Sequence, residues 1–251
     1  MPYANNNGTN IYYEVEGEGP PLVLVHGFSE SLEGWREYGF TEPLKQDYRL
    51  VLIDARGHGK SDKPHDPTSY GLRQRPADVV AVLDELGIEK AHYLGYSLGG
   101  WIGLGLTTYA PERLNSLIVG GAQPYGQSME LFRQALGGGI VGWVAVAEQM
   151  AGSASPAMKE RLLGNDVEAL RASLADDRPD ISDTLSDVEI PCLLYAGGAD
   201  PICPLVEKCA EELPDATFFS MPGLNHIQAA IRSDLVLPHV TEFLANQRVT
   251  A

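Results

Sequence analysis

The residues best suited to chemistry in this chain are a serine, an aspartate and a histidine in that order, Ser97, Asp200 and His226. Ser97 stands in Gly95-Tyr96-Ser97-Leu98-Gly99-Gly100, behind an apolar run over residues 91–94 and ahead of a small-residue segment over 101–110. That context predicts a strand entering a helix through a turn so tight that the serine backbone is strained and its hydroxyl stands exposed. A bare Gly-x-Ser-x-Gly carries little weight in a chain with 27 glycines, so the downstream partners decide.

A serine hydroxyl is a poor nucleophile at neutral pH and needs a base within hydrogen-bond reach. Of the six histidines, His26 and His58 sit in glycine-rich turns suited to backbone hydrogen bonding, and His65 and His92 have no comparable context. His239 falls inside the expected last helix, which leaves His226, just after the last expected strand. The imidazole in turn needs a carboxylate to fix its tautomer and stabilise its cation. Asp200, in Gly197-Gly198-Ala199-Asp200 at an expected strand end, can supply it. Asp54 and Asp62 flank Arg56 and read as turn and ion-pair residues. Acyl transfer also builds an oxyanion, for which the backbone N–H groups of Leu98 and Phe28 are the expected donors. Tyr96, Trp101, Tyr125, Met129, Phe132 and Trp143 are candidates, with Phe28, for the walls of an apolar substrate pocket.

The elements that must position these residues alternate between strand and helix. Residues 11–16 and 21–25 read as a hairpin closed by Gly17-Glu18-Gly19-Pro20, the second strand being apolar throughout, as in strands buried on both faces. Helix is expected over residues 31–46 and 71–86, strand over 49–53, and strand again over 114–119. Residues 124–188 break the rhythm with helical segments alone, interrupted at Gly137-Gly138-Gly139, Gly152-Ser153, Pro156 and Pro179. Strands at 190–196 and 217–221 and helices at 205–213 and 227–246 then close the chain. The expected fold class is α/β, a mostly parallel central sheet flanked by helices, with a core of residues 1–123 and 189–251 and a helical cap (lid) of residues 124–188 inserted after the sixth strand.

Eighteen basic against 34 acidic residues leave a net charge of −16, which repels phosphate backbones and argues against nucleic acid as a partner. No stretch is long and apolar enough for a membrane span, and residues 1–10 lack the basic and apolar regions of a signal peptide. Three cysteines, Cys192, Cys203 and Cys209, are an odd number without metal-type spacing and fit reduced thiols in a cytoplasmic protein. Asn7-Gly8-Thr9 therefore carries no meaning as a glycosylation site. Neither His-Glu-x-x-His, Cys-x-x-Cys nor a dinucleotide-binding glycine pattern occurs, so no metal or organic cofactor is expected.

Taken together, His26-Gly27-Phe28, the loop Asp54 to Gly59, the elbow at Ser97, the acid loop at Asp200 and Gly223-Leu224-Asn225-His226 resemble the α/β-hydrolase fold family along the whole chain. The resemblance implies a serine hydrolase of small, apolar carboxylic esters. Epoxide hydrolases and haloalkane dehalogenases of that family carry aspartate at the elbow, and Ser97 excludes them. Carbon–carbon bond hydrolases typically continue the His-Gly with a Ser/Gly-Gly-Pro-Gly type of sequence, where this chain has Phe28-Ser29-Glu30-Ser31. A lactonase or C–C bond hydrolase with the same triad, and a ligand receptor on a hydrolase scaffold, are the alternatives.

Overall fold

The structure, a computed structural model, describes residues 2–152 and 154–247. Ser153, half of one expected break, lies outside the described residues. Eight strands form one sheet: β1 (Tyr3–Asn6), β2 (Thr9–Glu16), β3 (Pro21–Val25), β4 (Arg49–Ile53), β5 (Ala91–Tyr96), β6 (Leu114–Gly120), β7 (Cys192–Gly197) and β8 (Ala216–Met221). Their spatial order is β1-β2-β4-β3-β5-β6-β7-β8, antiparallel at β1/β2 and β2/β4 and parallel from β4 to β8.

The hairpin expected between β2 and β3 is not formed, because β4 lies between them. The reason is burial. Leu22 and Leu24 face one core and Val23 and Val25 the other, so β3 needs covered neighbours on both sides, whereas β2 is buried only along its middle. The segment from Gly17 to Pro20 instead crosses the start of β4, where the N–H of Arg49 donates to the carbonyl of Pro20 at 3.0 Å. The hairpin that does form joins β1 to β2 through Asn7-Gly8, with φ of 50° and 91°, the two positive values of a type I′ turn. Asn7 thus matters as a turn residue.

Helices cover both faces. The face carrying Val23, Val51, Tyr93, Val119 and Leu194 packs against α3 (Gln74–Glu85), α4 (Leu98–Tyr109) and α9 (Cys203–Glu212). The face carrying Leu22, Leu50, Leu94, Ile118 and Tyr195 packs against α1 (Leu32–Glu37), α2 (Thr41–Leu44), α10 (His226–Ala230) and α11 (Ser233–Gln247). Alternate strand residues therefore serve opposite layers, as period-two geometry requires. The single helices expected over 31–46 and 227–246 are each two, divided at Tyr38 to Phe40 and at Ile231 and Arg232.

Between β6 and β7 the chain forms α5 (Glu130–Ala135), α6 (Gly139–Ala151), α7 (Pro156–Leu163) and α8 (Val167–Ser173), with 3-10 turns at Leu136–Gly138 and Ser182–Asp187. Gly152, with φ of 80°, ends α6, and Pro156 opens α7 behind a Ser155 cap. Asp166, whose carboxylate accepts from the N–H groups of Glu168 and Ala169, starts α8 at a break not expected from the sequence. An antiparallel bridge, Gln127 with Arg178, ties the two ends of the segment together. Among the described residues no helix is long and apolar enough to cross a membrane, and all three cysteines are free.

Candidate active site

β5 ends at Tyr96 and α4 begins at Leu98, leaving Ser97 alone to make the turn with φ 53° and ψ −107°. For a residue with a side chain this conformation costs on the order of 1–3 kcal/mol, so its surroundings must enforce it. The N–H of Ser97 donates to Gly120 O at 2.7 Å, its carbonyl accepts from Trp101 N at 2.9 Å, and Gly99 N donates to His26 O at 3.0 Å. Close approach makes both flanking glycines obligatory: a Cβ at Gly95 would lie 2.3 Å from Gly99 O, and one at Gly99 only 1.9 Å from Val25 O.

His226 and Asp200 arrive from the ends of β8 and β7. The His226 Nε2 is 2.9 Å from Ser97 Oγ, and its Nδ1 is 2.6 Å from Asp200 Oδ2. A carboxylate can only accept, which puts the ring hydrogen on Nδ1 and leaves Nε2 free to accept from the serine hydroxyl. Asp200 is only 4% exposed, and its Oδ1 accepts from Ile202 N at 3.2 Å. His226 is the first residue of α10, behind a capping box in which Asn225 and Gln228 satisfy each other's backbone N–H groups. Asn225 also donates to Met150 O at 2.7 Å, linking the histidine turn to α6.

Leu98 opens α4, so its N–H has no partner within the helix and points out of the helix N-terminus beside Ser97. The second expected donor, Phe28, follows β3 in a loop that runs alongside: a Cβ at Gly27 would sit 3.5 Å from the Ser97 Cβ. Two buried histidines hold that loop. His26 Nε2 accepts from Ala55 N at 3.1 Å while its Nδ1 donates to Gly27 O at 2.7 Å, a pattern that only the neutral ring can satisfy. His58 stacks edge-on to His26 and Phe28, with centroids 5.3 and 5.6 Å away, and donates from Nδ1 to Arg56 O. Asp54 accepts from Leu32 N and Lys60 N, Asp62 accepts from Asn10 N, and Arg56 donates to buried Asp78 of α3 at 2.6 Å.

Burial pushes both histidines down, His58 well below its usual range with the adjacent His26 as the second cause, and His26 against the opposing pull of Asp54. The folded state therefore favours the neutral rings, and stability present above ~6.5, the ordinary histidine value, is lost as the pH falls below it. Each such group contributes at most about 1.4 kcal/mol per pH unit to that loss. Denaturant midpoints are expected to drop clearly between pH 7.5 and pH 5.5; an unchanged or rising midpoint would contradict neutral burial.

A cavity of about 330 Å³ adjoins the elbow, with Phe28, Leu98, Trp101 and Met129 among its walls. Of the expected pocket residues, Trp101 and Met129 thus reach it. Phe132 and Trp143 pack on Phe28 at centroid distances of 6.0 and 5.2 Å, and the Trp143 Nε1 donates to Ser29 Oγ at 2.8 Å, so they support the loop. Tyr96 is a correction. It is buried on the opposite face of the sheet, its ring against His226 and its hydroxyl donating to the His226 carbonyl. The alternation of β5 forces this, since Tyr96 and Leu94 share a face away from α4. Tyr125 is another: its hydroxyl donates to Glu212 at 2.7 Å and Lys208 lies over its ring, so it turns toward α9. Sequence reasoning missed Arg75 and Arg178, which also line the cavity. A cationic residue followed by proline inside or beside a helical stretch was the only signal available.

Comparison with known proteins agrees on the family, while the similar proteins differ in activity. The sequence profile described as alpha/beta hydrolase fold matches residues 20–186. The chain is 28% identical to 3-oxoadipate enol-lactonase 1 of Acinetobacter baylyi over 81% of each chain. Among solved structures it is similar to Est816, described as an N-acyl homoserine lactone degrading enzyme, with 26% identity, a TM-score of 0.80, and 96% of this chain and all of that one covered. It is also similar to the esterase RhEst1 from Rhodococcus sp. ECU1013, with 25% identity, a TM-score of 0.81 and 97% of each chain covered.

Proposed function

Because this chain belongs to the α/β-hydrolase fold family, we propose that it is a serine hydrolase that cleaves small carboxylic esters through an acyl-enzyme. The observation that carries this reading is the continuous line Ser97 Oγ, His226 Nε2, His226 Nδ1, Asp200 Oδ2, with steps of 2.9 and 2.6 Å across the ring. In the first half-reaction the Ser97 oxygen bonds to the substrate carbonyl carbon and its proton passes to Nε2. The tetrahedral oxyanion faces the N–H groups of Leu98 and Phe28; its collapse breaks the carbon–oxygen bond, and the alcohol leaves with the proton held by His226. A water that gives its proton to the same nitrogen then attacks the acyl carbon, releasing the acid and restoring the serine. Asp200 stabilises the imidazolium throughout.

Residues 124–188 act in this reading as a cap over residues 1–123 and 189–251, since Met129 and Leu174 of that segment line the cavity beside Leu98. The apolar walls support an apolar part of the substrate. Lactones are cyclic esters, and the likeness to an enol-lactonase and to an N-acyl homoserine lactone degrading enzyme supports lactonase activity at the same serine. The three free thiols fit a cytoplasmic setting.

The test is intact-mass analysis after treatment with an organophosphonate, beside release of p-nitrophenol from acetate, butyrate and octanoate esters. One adduct on Ser97 and repeated turnover are expected. Labelling with a single turnover would point to a receptor on this scaffold, and absence of both would refute the reading.

A further inference from the structure

The cavity beside the elbow is not wholly apolar: two arginines from distant parts of the chain, Arg75 of α3 and Arg178 after α8, reach it together with the Trp101 indole. Arg75 is 3% exposed, yet its Nη1 has no hydrogen-bond partner, and Trp101, 4% exposed, leaves its Nε1 without one. The remaining Arg75 contacts are to neutral groups, Nε to Tyr70 O at 3.0 Å and Nη2 to Ser173 O at 3.2 Å, with the guanidinium over the Tyr70 ring. Arg178 lies over the Trp101 ring at 4.9 Å and donates to Gln127 Oε1 at 3.3 Å. Among the described residues neither arginine forms an ion pair.

The nearby acids do not neutralise them. Asp78 is held by Arg56, and Asp177 accepts from Arg133 and from the N–H of Met129. Asp176, exposed, also borders the cavity without a bond to either guanidinium. Burial, then repulsion from Arg56, pulls Arg75 down to about 10, and burial, then repulsion from Arg75, pulls Arg178 down to about 9. Both stay charged at neutral pH and crowd each other. Two guanidinium groups without a carboxylate partner thus line a cavity beside the elbow, whose other charged lining residues, Asp176 and Asp177, are exposed. A buried donor without a partner is costly, and guanidinium groups are well suited to binding a carboxylate.

We propose that Arg75, Arg178 and Trp101 bind a carboxylate of the substrate, so that the preferred esters or lactones carry an acidic group in addition to the bond that is cleaved. The inference rests on the serine hydrolase reading and corrects its expectation of a wholly apolar substrate. Phe28, Leu98 and Met129 would line the aliphatic stretch between the reacting carbonyl and the acid.

Two substrate pairs test it: mono-p-nitrophenyl glutarate against p-nitrophenyl valerate, and the acetyl ester of 4-hydroxybutyrate against butyl acetate. The acidic member of at least one pair is expected to have a kcat/KM about tenfold or more above its neutral partner, an advantage reduced about tenfold in Arg178→Gln and Arg75→Gln. Glutarate is expected to raise the melting temperature of Ser97→Ala and to lose that effect when Arg178→Gln is added. Arg178 is only partly buried, so its variant decides the matter if Arg75→Gln does not fold. Equal rates within both pairs, or glutarate binding indifferent to both arginines, overturns the carboxylate site while leaving the hydrolase in place. No turnover of any ester with glutarate still bound through the arginines would instead remove the hydrolase reading and keep the site.

Discussion

Replacing Ser97 with alanine is expected to lower ester hydrolysis by about 10⁴ to 10⁶-fold and to leave the melting curve nearly unchanged. The loss is large because no neighbour can substitute. The Ser97 hydroxyl is 2.9 Å from His226 Nε2, and in the proposed mechanism the remaining groups act on a bond to that oxygen. The fold survives because the elbow is held by backbone contacts: Ser97 N to Gly120 O, Trp101 N to Ser97 O, and Gly99 N to His26 O. Alanine makes the first two equally well and suffers the same positive φ. Steady-state rates with p-nitrophenyl butyrate, read beside a thermal melt, check both halves; near-normal turnover by a folded variant would remove Ser97 from the mechanism.

The second large effect belongs to Asp200. In Asp200→Asn the side chain keeps its size but can present an N–H to His226 Nδ1, which favours the tautomer whose hydrogen sits on Nε2 and blocks proton acceptance from Ser97. The negative charge that stabilises the imidazolium is lost as well. A fall of about 10⁴ in kcat is expected, with KM changed far less, because the carboxylate lies behind the ring and acts through it. Labelling of Ser97 by an organophosphonate should slow in parallel, since it needs the same proton transfer. If Asp200→Asn keeps more than about a tenth of the wild-type kcat, another group orients His226. Asp200 is buried and its Oδ1 also accepts from Ile202 N, so a melt of the variant is needed to separate chemistry from local unfolding.

The carboxylate proposal changes what these experiments should use as substrate. If both proposals hold, a neutral nitrophenyl ester reports Ser97, His226 and Asp200, whereas an acidic ester reports these together with Arg75 and Arg178. Comparing the two divides the rate between chemistry and recognition.

Much of this protein was legible in its sequence because the relevant constraints are local. A serine flanked by glycines between an apolar strand and a small-residue helix has few backbone solutions, and the structure adopts one with φ of 53°. That Asp200 and His226 follow expected strand ends was readable from the residues, and the resemblance to α/β hydrolases gave their order its meaning. The mostly parallel sheet was likewise readable from the alternation of apolar runs with helical periodicity, and all six strands from β3 to β8 occur within two residues of their expected bounds. What local patterning does not encode is which distant element comes to lie beside another. Whether β2 or β4 borders β3 depends on which strand can be covered on both faces, a property of the assembled layers. Tyr96 sits one residue from the nucleophile yet faces the other side of the sheet, packed beneath His226. Arg75 and Arg178 looked like ordinary helix and loop charges, and only folding brings both to one cavity, Arg75 over Tyr70 and Arg178 over Trp101, because the free energy of a charge depends on everything that surrounds it in space.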